Sequence, residues 1–213
     1  MRLVPVPALP EIRCYAAHPG SGLRRLVEPE GGDEANEDTS EPRPPYWAYA
    51  WAGGTVLARY VLDHPRTVAG RRVLDLGAGS GIVGIAAAKA GASMVIAAEI
   101  DRNGIAAIGL NAEANGVAIT TVERDITTDP PPAVDLVLAG DVFYGSDVAQ
   151  RIIPFLDRCL SAGIEVLVGD PRRKDLPLTR LRLLAEYKVP DFGESAGFAA
   201  KPSGVFSFET EQR

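Results

Sequence analysis

Residues that bind metals or carry redox chemistry are scarce: the 213 residues include two cysteines and two histidines. Cys14 and Cys159 are too far apart for a ligand spacing, and neither His18 nor His64 has a second ligand nearby, so metal chemistry is not expected. No stretch approaches the roughly 18 consecutive apolar residues needed for a spanning helix, and no membrane association is expected. The N-terminus lacks the basic-then-apolar pattern of a secretory leader, which leads to the expectation of a cytoplasmic protein. Basic residues interleaved with aromatics are also missing, which argues against a DNA or RNA groove. There are no internal repeats, and a monomer is expected.

The formal charge of -6 is unevenly spread, because seven acids and no base lie between Glu28 and Glu41. The rest of the chain is therefore close to neutral, at about +1. The acidic stretch has no apolar periodicity and is expected to be a mobile, solvated loop over 28–45, with a docking arm for a basic partner as the alternative. A hydrophobic content of 46% in a chain of this length suits one well-buried domain.

Against these absences stands the run Arg72-Val73-Leu74-Asp75-Leu76-Gly77-Ala78-Gly79-Ser80-Gly81-Ile82-Val83-Gly84. It reads as an apolar strand carrying an acid near its end, three alternating glycines, and the start of a helix. Glycines two apart let the backbone turn with positive φ and approach a ligand with no Cβ in the way. The spacing is G-x-G-x-G instead of the G-x-G-x-x-G that seats a pyrophosphate on a helix N-terminus. An acid at the strand mouth repels a pyrophosphate and attracts the sulfonium and ammonium groups of S-adenosylmethionine (SAM). The spacing and the acid favour SAM, and a nicotinamide or flavin dinucleotide remains the rival.

The next strand, Ser93 to Ala98, ends in Glu99-Ile100-Asp101, with Glu99 22 positions beyond Gly77. A carboxylate there is placed to receive both ribose hydroxyls, one on each oxygen. Asp101 is expected to cap the helix Arg102 to Asn115. A third strand, Thr120 to Arg124, leads to Asp125-Ile126, where the acid is a candidate for the adenine amino group beside an apolar wall. The alternative for Asp125 is an ordinary turn residue.

Strand and helix continue to alternate: strand Ala133 to Gly140, helix Asp147 to Leu160, strand Ile164 to Gly169, helix Leu178 to Glu186. This pattern predicts an α/β, doubly wound, mostly parallel sheet. Tyr187 to Val189 and Gly204 to Glu209 are expected to close it as an antiparallel hairpin, giving seven strands. Upstream, Glu11 to Ala17 and Gly22 to Val27 are expected to pair as a hairpin, and Gly53 to Leu62 reads as an amphipathic helix. Residues 1–70 are expected to cap the cofactor side of a catalytic domain spanning 71–213.

Strand four ends at Gly140-Asp141-Val142-Phe143-Tyr144, where ligands of such sheets bind. An acid and a phenol at that edge suit an amine acceptor, and Asp141 and Tyr144 are the catalytic candidates. A lysine acceptor has a reference pKa near 10.4, so freeing its lone pair at pH 7 costs roughly 4.6 kcal/mol. A neighbouring carboxylate raises that pKa, so Asp141 is better suited to aiming the nitrogen than to removing its proton. Both tryptophans, Trp47 and Trp51, lie in Pro44-Pro45-Tyr46-Trp47-Ala48-Tyr49-Ala50-Trp51-Ala52-Gly53-Gly54. Trp51, beside what reads as a flexible glycine pair, is a ligand-contact candidate. The cofactor candidates are Trp51, Asp75, Gly77, Gly79, Gly81, Glu99, Ile100, Asp125 and Gly140.

Through Leu9 to Arg13, Pro45 to Gly54, Val73 to Gly77, Gly140 to Tyr144 and Gly169-Asp170-Pro171, the chain resembles the seven-β-strand protein-lysine methyltransferases of methyltransferase family 16. Within that family it is most similar to the electron transfer flavoprotein β-subunit lysine methyltransferases and their bacterial relatives. The tryptophan motif together with the acid-x-x-aromatic motif Asp141-Val142-Phe143-Tyr144 is the specific part. The resemblance implies a class I, Rossmann-like SAM-dependent fold. It places Asp75, Glu99 and Asp125 at cofactor positions, Trp51 against SAM, and Asp141 at the acceptor channel. It also implies a protein substrate, with the electron transfer flavoprotein β-subunit as the expected partner. Relatives commonly carry Gly-Arg after Asp-Pro, whereas Arg172-Arg173-Lys174 follows here. Relatives often end in Thr-x-Val-Trp, whereas Ser203-Gly204-Val205-Phe206 stands here. Methylation of a small, nicotinamide-like amine and a SAM-binding regulator without turnover remain as alternatives.

Overall fold

A computed structural model describes residues 1–17, 45–190 and 200–211. The expected acidic loop and the expected strand Gly22 to Val27 lie outside the described residues. The chain opens with a hairpin of β1 (Arg2–Val6) and β2 (Leu9–Ala16). The main sheet contains β3 (Arg72–Leu76), β4 (Met94–Glu99), β5 (Thr120–Glu123), β6 (Leu136–Gly140), β7 (Glu165–Asp170), β8 (Leu181–Val189) and β9 (Lys201–Phe208). Its order is β5-β4-β3-β6-β7-β9-β8. The first five strands pair in parallel, and β9 runs antiparallel to both β7 and β8. The helices are α1 (Ala52–Asp63), α2 (Ile82–Lys89), α3 (Arg102–Ala114) and α4 (Ser146–Ser161). None is long and apolar enough to cross a membrane, among the described residues.

The central strands are apolar almost throughout because helices cover both faces of the sheet. Alternation sends Val73, Leu136 and Leu138 into one core with α1 and α2. It sends Leu74, Leu76, Val137 and Ala139 into the other core with α4. α1 packs across β6, β7 and β9, so the N-terminal region is joined to the sheet through this helix.

One expectation of secondary structure is corrected. The segment predicted as a helix over Leu178 to Glu186 is a short 3-10 turn, Leu178–Arg180, followed by strand β8. Pairing with β9 from Leu181↔Phe208 to Val189↔Lys201 gives the segment a ladder partner that local propensity cannot see. The N-terminal hairpin pairs β2 with β1 upstream, through Val6↔Leu9. Its tight turn places Ala8 at φ 64°, and alanine is not a residue that signals such a turn.

Asn111 of α3 and Asn115 at its C-cap fasten this hairpin. Asn115 Oδ1 accepts from Arg13 N at 3.0 Å, and its Nδ2 donates to Arg13 O at 2.6 Å. Asn111 Oδ1 accepts from Tyr15 N at 2.8 Å, while its Nδ2 donates to Ser80 O in the glycine loop, also at 2.8 Å. One side chain thus ties the hairpin edge to the loop that the sequence marks as a ligand site.

The first turn of α1 lies directly against the ends of β6 and β7. A Cβ on Gly53 would stand 2.2 Å from Gly169 O, and one on Gly140 would stand 2.7 Å from Gly54 Cα. Gly53 and Gly54 are therefore close-packing residues inside a helix, not the flexible pair expected. Gly169→Ala, whose Cβ would sit 2.1 Å from Gly53 O, is predicted to destabilise the protein by about 1–3 kcal/mol. Gly109→Ala, which meets nothing within 4 Å in α3, should stabilise it by up to about 1 kcal/mol. Urea unfolding midpoints measure both, and an unchanged midpoint for Gly169→Ala would contradict the close approach.

Candidate active site

The ends of β3, β4, β5 and β6 open onto one cleft of about 550 Å³, within the ~300–1,000 Å³ usual for small-molecule sites. Of the candidates, Trp51, Gly77, Gly79, Glu99, Ile100, Asp125, Gly140, Asp141 and Tyr144 line it. Asp75 and Gly81 do not. Gly77, Gly79 and Gly81 have φ of 65°, 53° and 79°, the left-handed region that explains why the loop is built of glycine. Gly81 is turned away from the cleft, and a Cβ there would stand 3.3 Å from two Ile108 side-chain carbons in α3.

Asp75, expected to face a cationic ligand, lies behind the loop. It is 1% exposed, and its Oδ2 accepts the Gly84 N–H at 2.7 Å, in the first turn of α2. It serves as a helix N-cap supplied from a neighbouring strand. Burial, opposed by the Gly84 hydrogen bond and assisted by the charge of Glu99, pushes its carboxyl up to about 7.

Glu99 stands at the cleft as expected, but its carboxylate is already bonded to backbone. Oε1 accepts from Ile100 N at 2.7 Å and Asp101 N at 2.9 Å, and Oε2 accepts from Gly79 N at 2.8 Å. With about four lone-pair sites per carboxylate, Oε2 retains one for a hydroxyl. The expected fork of one hydroxyl on each oxygen is thus reduced to one side. Asp101 caps α3 through Asn103 N at 2.8 Å, as its position predicted. Asp125 accepts from Thr127 N and Oγ1 at 2.8 and 2.6 Å and pairs with Arg151 at 3.2 Å. Burial raises its pKa, but these partners outweigh burial and leave it below the usual carboxylate range. Buried Ile126 follows it along the same wall.

Asp141 follows β6 with φ 57°, a strained conformation that Asp tolerates better than most residues. Oδ2 accepts from Gly54 N in the first turn of α1 at 3.0 Å. Oδ1 accepts from Arg173 Nε at 2.8 Å and Nη2 at 2.6 Å. The guanidinium also lies 5.8 Å from the centre of the Trp51 ring, within reach of a cation–π contact. Arg173 N donates to Asp170 Oδ1 at 2.6 Å. Asp170 is 0% exposed, and its Oδ2 has no partner among the described residues. Burial, opposed mainly by the Arg173 N–H bond and reinforced by the Asp141 charge, pushes it up to about 7.

Tyr144 stacks on Tyr46 with centroids 5.9 Å apart, and Tyr46 lies 5.8 Å from Trp51. Trp51 Nε1 donates to Tyr46 O at 2.8 Å. Partial desolvation, with Tyr46 and Glu99 nearby, raises the Tyr144 phenol above its usual value, so it stays protonated at neutral pH. Sequence reasoning missed Tyr46 and Arg173. The aromatic motif contained a signal for the first; the second is 32 positions from Asp141, and its signal was its place on the arginine that follows Asp-Pro-Gly in the resembling family. Arg172 has φ 67°, which accounts for the glycine common at that place in the resembling family. The cysteines are buried, and desolvation pushes their thiols to about 12 and about 11, leaving both protonated.

A family model described as lysine methyltransferase matches residues 46–185. The electron transfer flavoprotein beta subunit lysine methyltransferase of Danio rerio is 38% identical over 170 residues, covering 77% of this chain and 66% of that protein. The Homo sapiens protein of the same name is 42% identical over 171 residues, covering 78% and 65%. The match thus spans about two thirds of the length of these relatives. Among solved structures, a putative RNA methyltransferase from Pyrococcus horikoshii superposes with a TM-score of 0.58 at 18% identity, covering 90% of this chain and 96% of that one. A 16S rRNA methyltransferase of T. thermophilus, in complex with AdoMet and guanosine, superposes at 0.53 with 22% identity, covering 76% and 44%. These likenesses establish the class I SAM-dependent methyltransferase fold.

Asp75 supplies a test that needs no ligand. A carboxyl raised from about 3.8 to about 7 holds its proton more tightly when folded, so its contribution to stability is complete below pH 4 and declines as pH rises through 7. Asp75→Asn, which keeps an oxygen for Gly84 N, is predicted to melt close to the wild type at pH 4 and several degrees higher at pH 8. A constant difference between the two curves would show that Asp75 does not titrate in this window.

Proposed function

This chain belongs to the lysine methyltransferase family, and we propose that it transfers a methyl group from SAM to lysine side chains of a protein, with the electron transfer flavoprotein β-subunit as the acceptor. The observation that supports this most directly is the convergence of two residue sets on one cleft. Gly77, Gly79, Glu99 and Asp125 stand at the ends of β3 to β5, and Asp141, Tyr144 and Trp51 stand beside the end of β6.

The first set fits an adenosyl ligand. Glu99 Oε2 has an acceptor site for a ribose hydroxyl, and Asp125 beside Ile126 suits an amino group on a flat apolar base. Gly77 and Gly79 allow close approach of the amino-acid end. Glu99, Asp101, Asp125, Asp141 and Asp147 line the cleft against Arg124, Arg151 and Arg173, an acidic excess that favours a cationic ligand over a pyrophosphate. When bound, SAM supplies an activated methyl, which an amine lone pair takes by forming an N–C bond as the C–S bond breaks and its electron pair stays on sulfur.

The protein's share is alignment and exclusion of water. Asp141 is rigid at the cleft wall because a helix terminus and a guanidinium hold its two oxygens. The Tyr46–Tyr144 stack forms an apolar flank for the methylene stem of a lysine. Neutral Tyr144 is a wall residue and not a base.

Incubation of the purified enzyme with labelled SAM and the flavoprotein should place label on lysine of the β-subunit. Asp141→Ala should reduce the rate about 100-fold, the scale of a misaligned acceptor, in a variant whose melting curve confirms that it is folded. Label found only in the small-molecule fraction of a lysate would replace this reading with amine methylation. Undiminished labelling by Asp141→Ala would remove the role given to that acid.

A further inference from the structure

Resting on the lysine-methylation reading, we infer that Arg173 is a positioning residue that neutralises Asp141 and thereby sets the protonation state of the acceptor amine. Two of its nitrogens bond to a single oxygen of Asp141, at 2.8 and 2.6 Å. Its backbone N–H is held by Asp170, and its guanidinium lies near Trp51. Two contacts hold the side chain and a third holds its backbone, and the Asp141 side chain is only 9% exposed against 24% for Arg173. An acceptor entering the cleft meets a pre-formed neutral pair and not a bare anion.

The consequence for methylation follows from charge. A lysine reacts only as the free amine, and an uncompensated carboxylate at the channel wall would hold the ammonium form. Paired with a guanidinium that does not deprotonate in proteins, Asp141 still fixes geometry but no longer opposes loss of the proton to water. Arginine suits this place better than lysine because two of its nitrogens fasten one oxygen while the charge is constant. Other charged or titratable groups face the pair: Asp170 behind it, the phenols of Tyr46 and Tyr144, and across the cleft Glu99, Asp101, Arg124, Asp147 and the Asp125–Arg151 pair. None of these is substituted in variants of Asp141 and Arg173, but Asp170 responds to both charges, raised by Asp141 and lowered by Arg173, so the limbs are compared at the alkaline end of the range. Asp170, pushed to about 7, is ionised over the alkaline range in which a lysine titrates.

The test is the rate of lysine methylation across pH 6.5–10 for the wild type, Arg173→Gln, Asp141→Asn and the double variant. Arg173→Gln should move the rising limb about one unit higher, which reads as roughly 10-fold less activity at pH 7.5 with recovery above pH 9. Asp141→Asn, which takes away the carboxylate bonded to the guanidinium, should move the limb lower, and the double variant should return it close to the wild-type position. Independently of turnover, calorimetry at pH 7 with S-adenosylhomocysteine present should show Arg173→Gln binding the acceptor protein several-fold tighter, because a carboxylate no longer bonded to that guanidinium then meets an ammonium. A common midpoint for all four proteins, or a loss equal at every pH, overturns the inference and leaves Arg173 a structural residue. If Arg173→Gln does not fold, the direction of the Asp141→Asn shift decides the matter alone. Absence of labelled lysine with the wild type at every pH overturns the proposed function itself and this inference with it.

Discussion

The carboxylate of Asp141 joins three parts of the chain that are distant in sequence. One oxygen caps the first turn of α1 through Gly54, the other holds Arg173 beyond β7, and its own N–H donates to Gly169 O at 2.9 Å. Removing any partner would leave a charge or a helix N-terminus unsatisfied at low dielectric, so the three hold one another in place. The glycines at 53, 54, 140 and 169 are the steric condition for this junction. Backbones approach so closely there that a single Cβ at Gly53, Gly140 or Gly169 would collide with backbone atoms.

A second acid repeats the device. Asp75 receives the third N–H of α2 just as Asp141 receives the third N–H of α1. In each case a carboxylate on or just beyond a β-strand satisfies a helix terminus that the helix's own preceding residue does not cap. The two differ in what surrounds the charge. Asp75 is sealed beneath the loop with a backbone donor and the like charge of Glu99 nearby, and its pKa rises to about 7. Asp141 has a guanidinium beside it and lines the cleft. The same side chain at similar places in the fold thus has a supporting use in one case and a place in the site in the other.

The cleft inherits its form from these supports. Glu99 braces the glycine loop against the start of α3 by accepting Gly79, Ile100 and Asp101 N–H groups. Asn111 ties the same loop to the N-terminal hairpin. The residues placed toward the ligand are therefore held by backbone hydrogen bonds from several elements, which is the rigidity that alignment of a methyl donor and an acceptor demands.

Much of this was legible in the sequence by itself, because it depends on local spacing. Glycine alternation after an apolar strand marks a ligand loop, repeated strand-helix periods imply a parallel sheet, and Asp141 with Tyr144 falls at a strand end where such sheets bind. Tertiary structure decided the rest. Leu178 to Glu186 has a pattern compatible with a helix, yet its last six residues belong to a strand because β9 offers a ladder. Asp75 is near the loop in sequence but is sealed beneath it once α2 packs down. The pairing of Arg173 with Asp141 crosses 32 residues, a helix and a strand, and no spacing rule announces it. Periodicity and backbone conformation are properties of neighbouring residues, whereas burial, charge pairing and sheet register are set only when distant segments meet.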